Sequence, residues 1–311
     1  SVASGEQIEK LHLTDFKDVQ QLAPGLELTN NSGRNNTATL RGISFDPDQG
    51  TSPSVELYFN EMVSDTQATF AALYDIQQIE ILRGPQGTLR GQGAPAGTML
   101  ISSRKPSYTE SEGYVQALGT TKGGYNLQGG FSFPLSDTLA IRVAGLADGN
   151  RINHVRNLTR GGERSESRTY SGRVTLGFKP NDAFEATVMY QYLKADNNVF
   201  QQVVGAGSNP YGIYSTLFGT PRPLLPASFG GGPFATDTTV RSGPALVASD
   251  YAAVSDGIYR VINRHHVINL NAKYDFGGVT LSMLAGFQRG KITTERDQDL
   301  GNALPGINRL N

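Results

Sequence analysis

From residue 113 onward apolar and polar positions alternate with a period of two, the pattern of strands that keep one apolar face. In residues 125–133 one face carries Tyr125, Leu127, Gly129, Phe131 and Phe133, and the other Asn126, Gln128, Gly130 and Ser132. The next segment sets Leu139, Ile141, Val143, Gly145 and Ala147 against Ala140, Arg142, Ala144, Leu146 and Asp148. The division recurs with Tyr170, Val174, Leu176 and Phe178 opposite Ser171, Arg173 and Thr175, and with Phe184, Val188, Tyr190 and Tyr192 opposite Glu185, Met189 and Gln191. It returns with Ile268, Leu270, Tyr274 and Phe276, and then with Val279, Leu281, Met283 and Phe287. With a weaker segment at 114–119, seven strands are predicted.

Connection lengths alternate too. Residues 134–137, 179–182 and 277–278 form tight turns, whereas 150–167 and 196–263 form long connections, the habit of outer-membrane barrels. Aromatic residues gather at strand ends (Phe178, Tyr190, Tyr192, Tyr274, Phe276, Phe287), where interfacial girdles sit. A β-sandwich also alternates, but its connections need not. Seven strands leave two open edges, which hydrocarbon does not tolerate. A barrel of about eight strands is filled by its own side chains, while a plugged lumen goes with ~22. The expectation is an incomplete barrel, about seven strands of a larger one, with residues 291–311 in an outside loop.

Residues 1–108 read differently. Ser4 and Gln7 have capping-box spacing, and Thr14-Asp15 can cap a helix running to about Leu22, ended by Pro24-Gly25. Phe16, Val19 and Leu22 share one face of it, a core stripe. Segments 37–43 and 55–60 are strand-like around a polar loop at 44–54; a helix is predicted at 66–74 and strands at 78–83 and 98–103. These elements suffice for a small α+β domain.

Composition narrows the classes. The 27 basic and 28 acidic residues cancel, so no electrostatic footprint for nucleic acid exists. No run approaches the ~18 apolar residues of a membrane helix, which leaves a barrel open. The chain has no cysteine, which removes disulfides, thiolate metal sites and cysteine nucleophiles. Neither a signal peptide nor a catalytic spacing is visible among the first residues or around His12, His154, His265 and His266; adjacent histidines on a strand face opposite sides. The glycine pattern at 91–97 is interrupted by Pro95 and lacks a following βαβ repeat, so it reads as tight turns and not a phosphate loop. No enzyme, cofactor or metal is expected.

Several stretches, in order, resemble the TonB-dependent outer-membrane receptors: Val19-Gln20-Gln21-Leu22-Ala23-Pro24-Gly25-Leu26, Thr39-Leu40-Arg41-Gly42-Ile43, the strand and turn at 55–63, and above all Ile79-Glu80-Ile81-Leu82-Arg83-Gly84-Pro85-Gln86-Gly87-Thr88-Leu89 running on to Pro106. Asn60-Glu61 replaces the family's usual Asp-Gly turn, Arg90 stands where Tyr is common, and no TonB box is present, so the coupling segment is expected upstream. The resemblance implies an α+β plug domain at 1–108 followed by antiparallel transmembrane β-barrel strands at 109–311, in the outer membrane of a Gram-negative bacterium. It implies energy-coupled uptake of a scarce solute, most often a ferric siderophore, with TonB, outer-membrane lipid and lipopolysaccharide as partners and a monomeric state. A passive or gated channel and a secreted carbohydrate-binding β-protein are the alternatives.

By the same resemblance, outward plug loops would form the floor of a ligand cavity: Arg41, Asp46, Asp48 and Gln49 in one loop, Asp65, Thr66, Gln67 and Phe70 at a turn and helix start, and Gln92 near the glycine turn. Arg41 offers a forked donor to ligand oxygens, or else braces the plug sheet. Arg83 would latch plug to barrel wall through a desolvated carboxylate pair. Arg151, Arg156, Arg160, Arg164, Arg168 and Arg173 form a basic run assigned to the first long loop, suited to an anionic ligand or lipopolysaccharide phosphates or simply to solvent.

Overall fold

In the computed structural model of the chain, residues 1–11, 13, 16–31, 35–43, 53–85, 94–158, 160–202, 247–253, 255 and 257–296 are described. The chain opens with strand β1 (Val2–Ser4) and helix α1 (Gly5–Lys10). The capping box forms as expected: the Gln7 amide donates to Ser4 Oγ at 3.3 Å, and the Ser4 amide to Gln7 Oε1 at 3.1 Å. A 3₁₀ helix at Phe16–Leu22 follows, with Phe16 and Val19 buried; its expected cap, Thr14-Asp15, lies outside the described residues.

Next come the hairpin β2 (Leu26–Asn31) and β3 (Asn35–Leu40), the hairpin β4 (Val55–Phe59) and β5 (Met62–Val63), helix α2 (Thr66–Ala71), and strands β6 (Ile76–Arg83) and β7 (Gly97–Ser103). Five strands make one sheet in the order β1-β6-β7-β4-β5, with β4 parallel to β7. Val55, Leu57, Ile79, Ile81, Met99 and Ile101 point from it into a core closed by Phe16, Val19, Leu40 and Phe70.

The Asn60-Glu61 turn explains its own departure from Asp-Gly. Phe59 pairs with Met62, so two residues turn the chain, and both have positive φ (48° and 69°), as a type I′ turn demands. Asn60 tolerates this, and its Oδ1 accepts the Ser103 amide at 2.9 Å. The hairpin is kept without glycine.

Strands β8 (Glu112–Gly119), β9 (Tyr125–Ser136), β10 (Leu139–Asn157), β11 (Glu163–Asn181), β12 (Phe184–Asn198), β14 (Tyr259–Asp275) and β15 (Thr280–Arg296) are the seven expected; a two-residue strand, β13 (Ala252–Ala253), was not. The seven pair in chain order from β8 to β15, and among the described residues β8 and β15 are not neighbours. The sheet is inside out. Ser132, Arg142, Arg173 and Asn269 are each no more than 3% exposed, whereas Phe131, Val143, Leu176 and Leu281 are 37% exposed or more. An apolar face left open over this many strands is suited to hydrocarbon.

Strand ends differ from expectation. β10 and β11 each run for 19 residues, about twice the 9–11 needed to cross a bilayer. The connection expected at 150–167 therefore shrinks to 158–162, and the basic run assigned to it lies largely on strands, with Arg173 in the buried row of β11. Alternation is weaker in these extensions, which hid them.

The chain divides into two compact units that do not separate at residue 108. One comprises Ser1–Asn150, Ser167–Asp196 and Val261–Thr293, so the αβ region is packed with strands of the second sheet. The other takes in Arg151–Glu166, Asn197–Arg260 and Thr294–Asn311. Within it, β13 runs parallel to the end of β10, Val155, Phe200 and Ala253 form a small core, and Asn157 Nδ2 donates to the Ser255 carbonyl at 2.8 Å.

Candidate functional site

The polar face of the strand array receives the αβ region at one corner, Tyr74-Asp75, between α2 and β6. Asp75 sits at φ 53°, a left-handed conformation that aspartate accepts better than most residues. Its carbonyl accepts the Arg104 amide at 3.0 Å, which ties the corner to the segment after β7. Its carboxylate points at the wall. There Arg142 of β10 donates from Nε to Oδ2 at 2.9 Å and from Nη2 to Oδ1 at 2.5 Å, and from Nη1 to Ser132 Oγ at 3.0 Å. Both side chains are almost completely buried. A glycine on β9 makes the room: a Cβ at Gly130 would stand 2.7 Å from Asp75 Oδ1 and 2.9 Å from Arg142 Nη2.

A second arginine holds the neighbouring residue. Arg173 of β11 lies 4.4 Å from the Tyr74 ring centroid and 4.9 Å from that of Phe59, while its Nε donates to Gln191 Oε1 at 2.9 Å. The Tyr74 hydroxyl and Ser171 Oγ are 2.8 Å apart. Burial pushes the Tyr74 phenol up, against the opposing pull of Arg173, so it remains a neutral hydrogen-bonding group at physiological pH.

Tyr74 also packs with Ala144 and Leu146 of β10, with Ala72 against them; farther along the wall the contacts are mostly polar or small. Asn269 Nδ2 donates to the Asn60 carbonyl at 3.2 Å, Asn271 Nδ2 to Glu61 Oε2 at 3.2 Å, and the Asp65 amide to Gln288 Oε1 at 3.2 Å. Met62 rests where Gly286 has no Cβ. Lys105 reaches Glu185 at 3.4 Å, and the Ser107 amide donates to Ser132 Oγ at 3.2 Å. Such a seat is specific, yet parting it exposes mainly groups that water can satisfy.

The residues singled out from sequence fare unevenly. Arg83 is exposed and, among the described residues, has no ion pair or hydrogen-bonding side-chain partner; the desolvated arginine–carboxylate pair expected for it is made by Arg142 and Asp75, with the arginine on the wall. Phe70 is not a floor residue: it is 4% exposed and packs on Phe16 with ring centroids 4.3 Å apart, because the helix that carries it closes the core. Arg41 is exposed with φ 54°, its amide bonded to the Gly25 carbonyl at 2.8 Å. Asp65 is exposed and Thr66 half-buried at the start of α2. Gln67 lies in α2, its side chain outside the described residues, and Asp46, Asp48, Gln49 and Gln92 lie outside them altogether.

Arg142 and Arg173 were already on the inward row by alternation. A charged residue in the middle of such a row requires a buried counterpart, and that signal was available; that Tyr74 and Asp75 answer it was not.

An inside-out sheet with an α+β region seated on its polar face is the arrangement of a barrel wall and a plug. Residues 1–98 match the family model described as the TonB-dependent Receptor Plug Domain. The Pesticin receptor of Yersinia pestis is 30% identical over 187 residues, 58% of this chain and 27% of that protein. The Ferrioxamine B receptor of Salmonella typhimurium (strain LT2) is 29% identical over 158 residues, 47% of this chain and 21% of its own. The ferric yersiniabactin uptake receptor FyuA from Yersinia pestis shares the fold with a TM-score of 0.71 at 22% identity, over 95% of this chain and 41% of that one. The chain thus spans about a quarter of the length of the curated relatives it matches. Its residues 1–98 are similar to the plug domain of the TonB-dependent receptors, and the chain shares the fold of a solved receptor of that kind.

Proposed function

We propose that the chain supplies the plug, residues 1–108, and the first wall strands, within 109–311, of a monomeric receptor that takes up a ferric siderophore by coupling to TonB. The relatives named for ferrioxamine B and for ferric yersiniabactin support that ligand class. The observation that carries the reading is the seat itself. Among the described residues the plug meets the wall through a buried ion pair, a cation–aromatic sandwich, a small apolar cluster of Tyr74 and Ala72 with Ala144 and Leu146, and a series of amide and hydroxyl contacts. A plug meant to stay would be sealed by extensive apolar packing, where this seat has one small cluster among mostly polar contacts. One meant to move must part without baring hydrocarbon to water, and polar contacts rehydrate when they separate. The exposed residues Arg41 and Asp65, with the half-buried Thr66, are then the described part of the ligand floor.

The test uses the full-length receptor in a strain lacking its own siderophore receptors and starved of iron. Growth on at least one ferric siderophore, abolished when TonB is deleted, is the expected result. Growth that persists without TonB would make it a passive channel. Failure of every ferric chelate, with receptor present in the outer membrane, would overturn the ligand class.

A further inference from the structure

The N-terminal segment lies against the corner that carries Asp75. β1 is at the edge of the plug sheet and pairs with β6 through Val2–Glu80, Ala3–Ile79 and Ser4–Gln78. Where it passes into α1 the chain runs against the first residue of β6. A Cβ on Gly5 would stand 2.5 Å from the Ile76 carbonyl oxygen and 3.4 Å from Arg104 Nη2. Ile76 follows Asp75 directly, so α1 starts beside the corner.

Arg104 makes a second tie. Its amide donates to the Asp75 carbonyl at 3.0 Å, and its Nη2 donates to Glu9 Oε1 of α1 at 2.5 Å. The same guanidinium lies 4.9 Å from the centroid of the Tyr114 ring on β8. One arginine joins the helix, the corner and the wall. Between them is a cavity of about 20 Å³ bordered by Ile8, Glu9, Tyr74, Asp75, Tyr114 and Gln128. That is room for one water, and α1 closes one side of it.

The attachment of this segment is light. α1 has six residues, of which Gly5 and Ile8 are buried, and a helix that short does not hold its shape without packing. Three residue pairs at a sheet edge can part without breaking any other pairing. The Glu9–Arg104 pair is partly exposed and weak by itself. The Arg142–Asp75 pair is different: its attraction is strong only while dry, because water beside it raises the local dielectric.

We infer that β1 and α1 form a removable cover on the Arg142–Asp75 pair, with Arg104 as the residue that ties cover to corner. Docked, the segment keeps water from Asp75 and holds the corner through Arg104. Displaced, it opens the cavity and the ion pair weakens. Arg104 is a positioning residue, acting on Asp75 through the backbone. The inference rests on the reading of a plug that parts from its wall, and on neither the ligand nor the coupling partner.

The test is hydrogen exchange followed by mass spectrometry on the full-length receptor in detergent without ligand, reading peptides that cover 73–78 and 103–106. Glu9→Gln and Arg104→Gln should each speed exchange there about fivefold, the scale of one partly exposed ion pair, with the global unfolding midpoint unchanged. Both changes together should do no more than either alone. Arg104→Lys, which keeps the charge, should restore near wild-type protection. Glu6→Gln, which removes the exposed Glu6–Lys10 pair of the same helix, should alter these peptides by less than about twofold. Gly5→Ala, which forces α1 off Ile76, should loosen them most; if that variant fails to fold, the Glu9 and Arg104 variants carry the comparison. Faster exchange confined to residues 5–10, an equal response to Glu6→Gln, or additive effects of Glu9→Gln and Arg104→Gln would overturn the cover. No readout here needs uptake, so a receptor that imports no ferric chelate would contradict the proposed function and leave this result standing.

Discussion

Arg142 and Asp75 stand 67 residues apart in sequence and meet in a two-point ion pair, each almost wholly removed from solvent. The arrangement depends on three choices: a carboxylate at a left-handed corner, an arginine on the inward row of β10, and glycine opposite both. In the interior such a pair adds little net stability, because desolvation offsets attraction. Breaking it by removing one partner costs ~3–5 kcal/mol, since a charge is left buried and alone. A latch of this kind defines where the plug sits and penalises partial displacement.

Gly130 should therefore be intolerant of even one methyl group. Gly130→Ala places a Cβ within 3 Å of both partners, so the pair must shift, and the full-length receptor should lose plug protection in hydrogen exchange. Gly172, which faces outward on β11 with nothing within 4 Å of an added Cβ, is the control. Gly172→Ala should leave protection unchanged. Equal behaviour of the two variants would remove the glycine from the account.

Tyr74 separates ring from hydroxyl. Tyr74→Phe removes only the bond to Ser171, whose Oγ still donates to the Tyr192 carbonyl at 2.9 Å, so the cost should be ~0.5–1.5 kcal/mol. Tyr74→Ala also removes the buried ring under Arg173 and should cost ~3–5 kcal/mol. Denaturant unfolding of the full-length receptor, followed through a plug-specific probe, measures both. Comparable losses would mean that the hydroxyl, and not the sandwich, holds this residue.

Glu56 on β4 is buried, and burial pushes its carboxyl above the ordinary 4.5. Folded plug therefore holds that proton to higher pH than unfolded chain does. The favourable contribution of the neutral form is complete below 4.5 and is lost as pH rises through the folded value. Glu56→Gln should make the plug more resistant to unfolding than wild type at pH 8, with the gap closing as pH falls toward 4.5. A Gln variant less stable than wild type at pH 8 would show that the ionised carboxylate has a favourable partner.

Periodicity carried the strand array a long way, because each strand of a membrane wall repeats the same two-faced rule: the outward row Phe131, Phe133 and the inward row Gln128, Ser132 were separable by eye. It failed where the rule lapses. β1 is too short to show a period, the extension of β10 toward Asn157 mixes charged and apolar residues on both faces, and β13 has two residues. Phe70 was misplaced because α2 is only six residues long, too short for its apolar stripe to reveal which face closes the core. The latch was half legible. Alternation put Arg142 and Arg173 on the buried row, but contact across 67 positions is set by how the plug docks, and no local pattern encodes that. Arg83 drew attention through its place before Gly84-Pro85, yet a strand-end position fixes exposure, not partnership.

The latch is tested most directly by a double-mutant cycle in the full-length receptor in outer membranes, reading permeability to a large antibiotic that intact outer membranes exclude. Arg142→Met and Asp75→Leu should each raise leakage, because each leaves a buried charge unpaired. The double variant Arg142→Met/Asp75→Leu, with neither charge, should return most of the way to wild type. If both single variants stay as tight as wild type, or if the two effects simply add in the double variant, the ion pair is not what holds the plug to the wall.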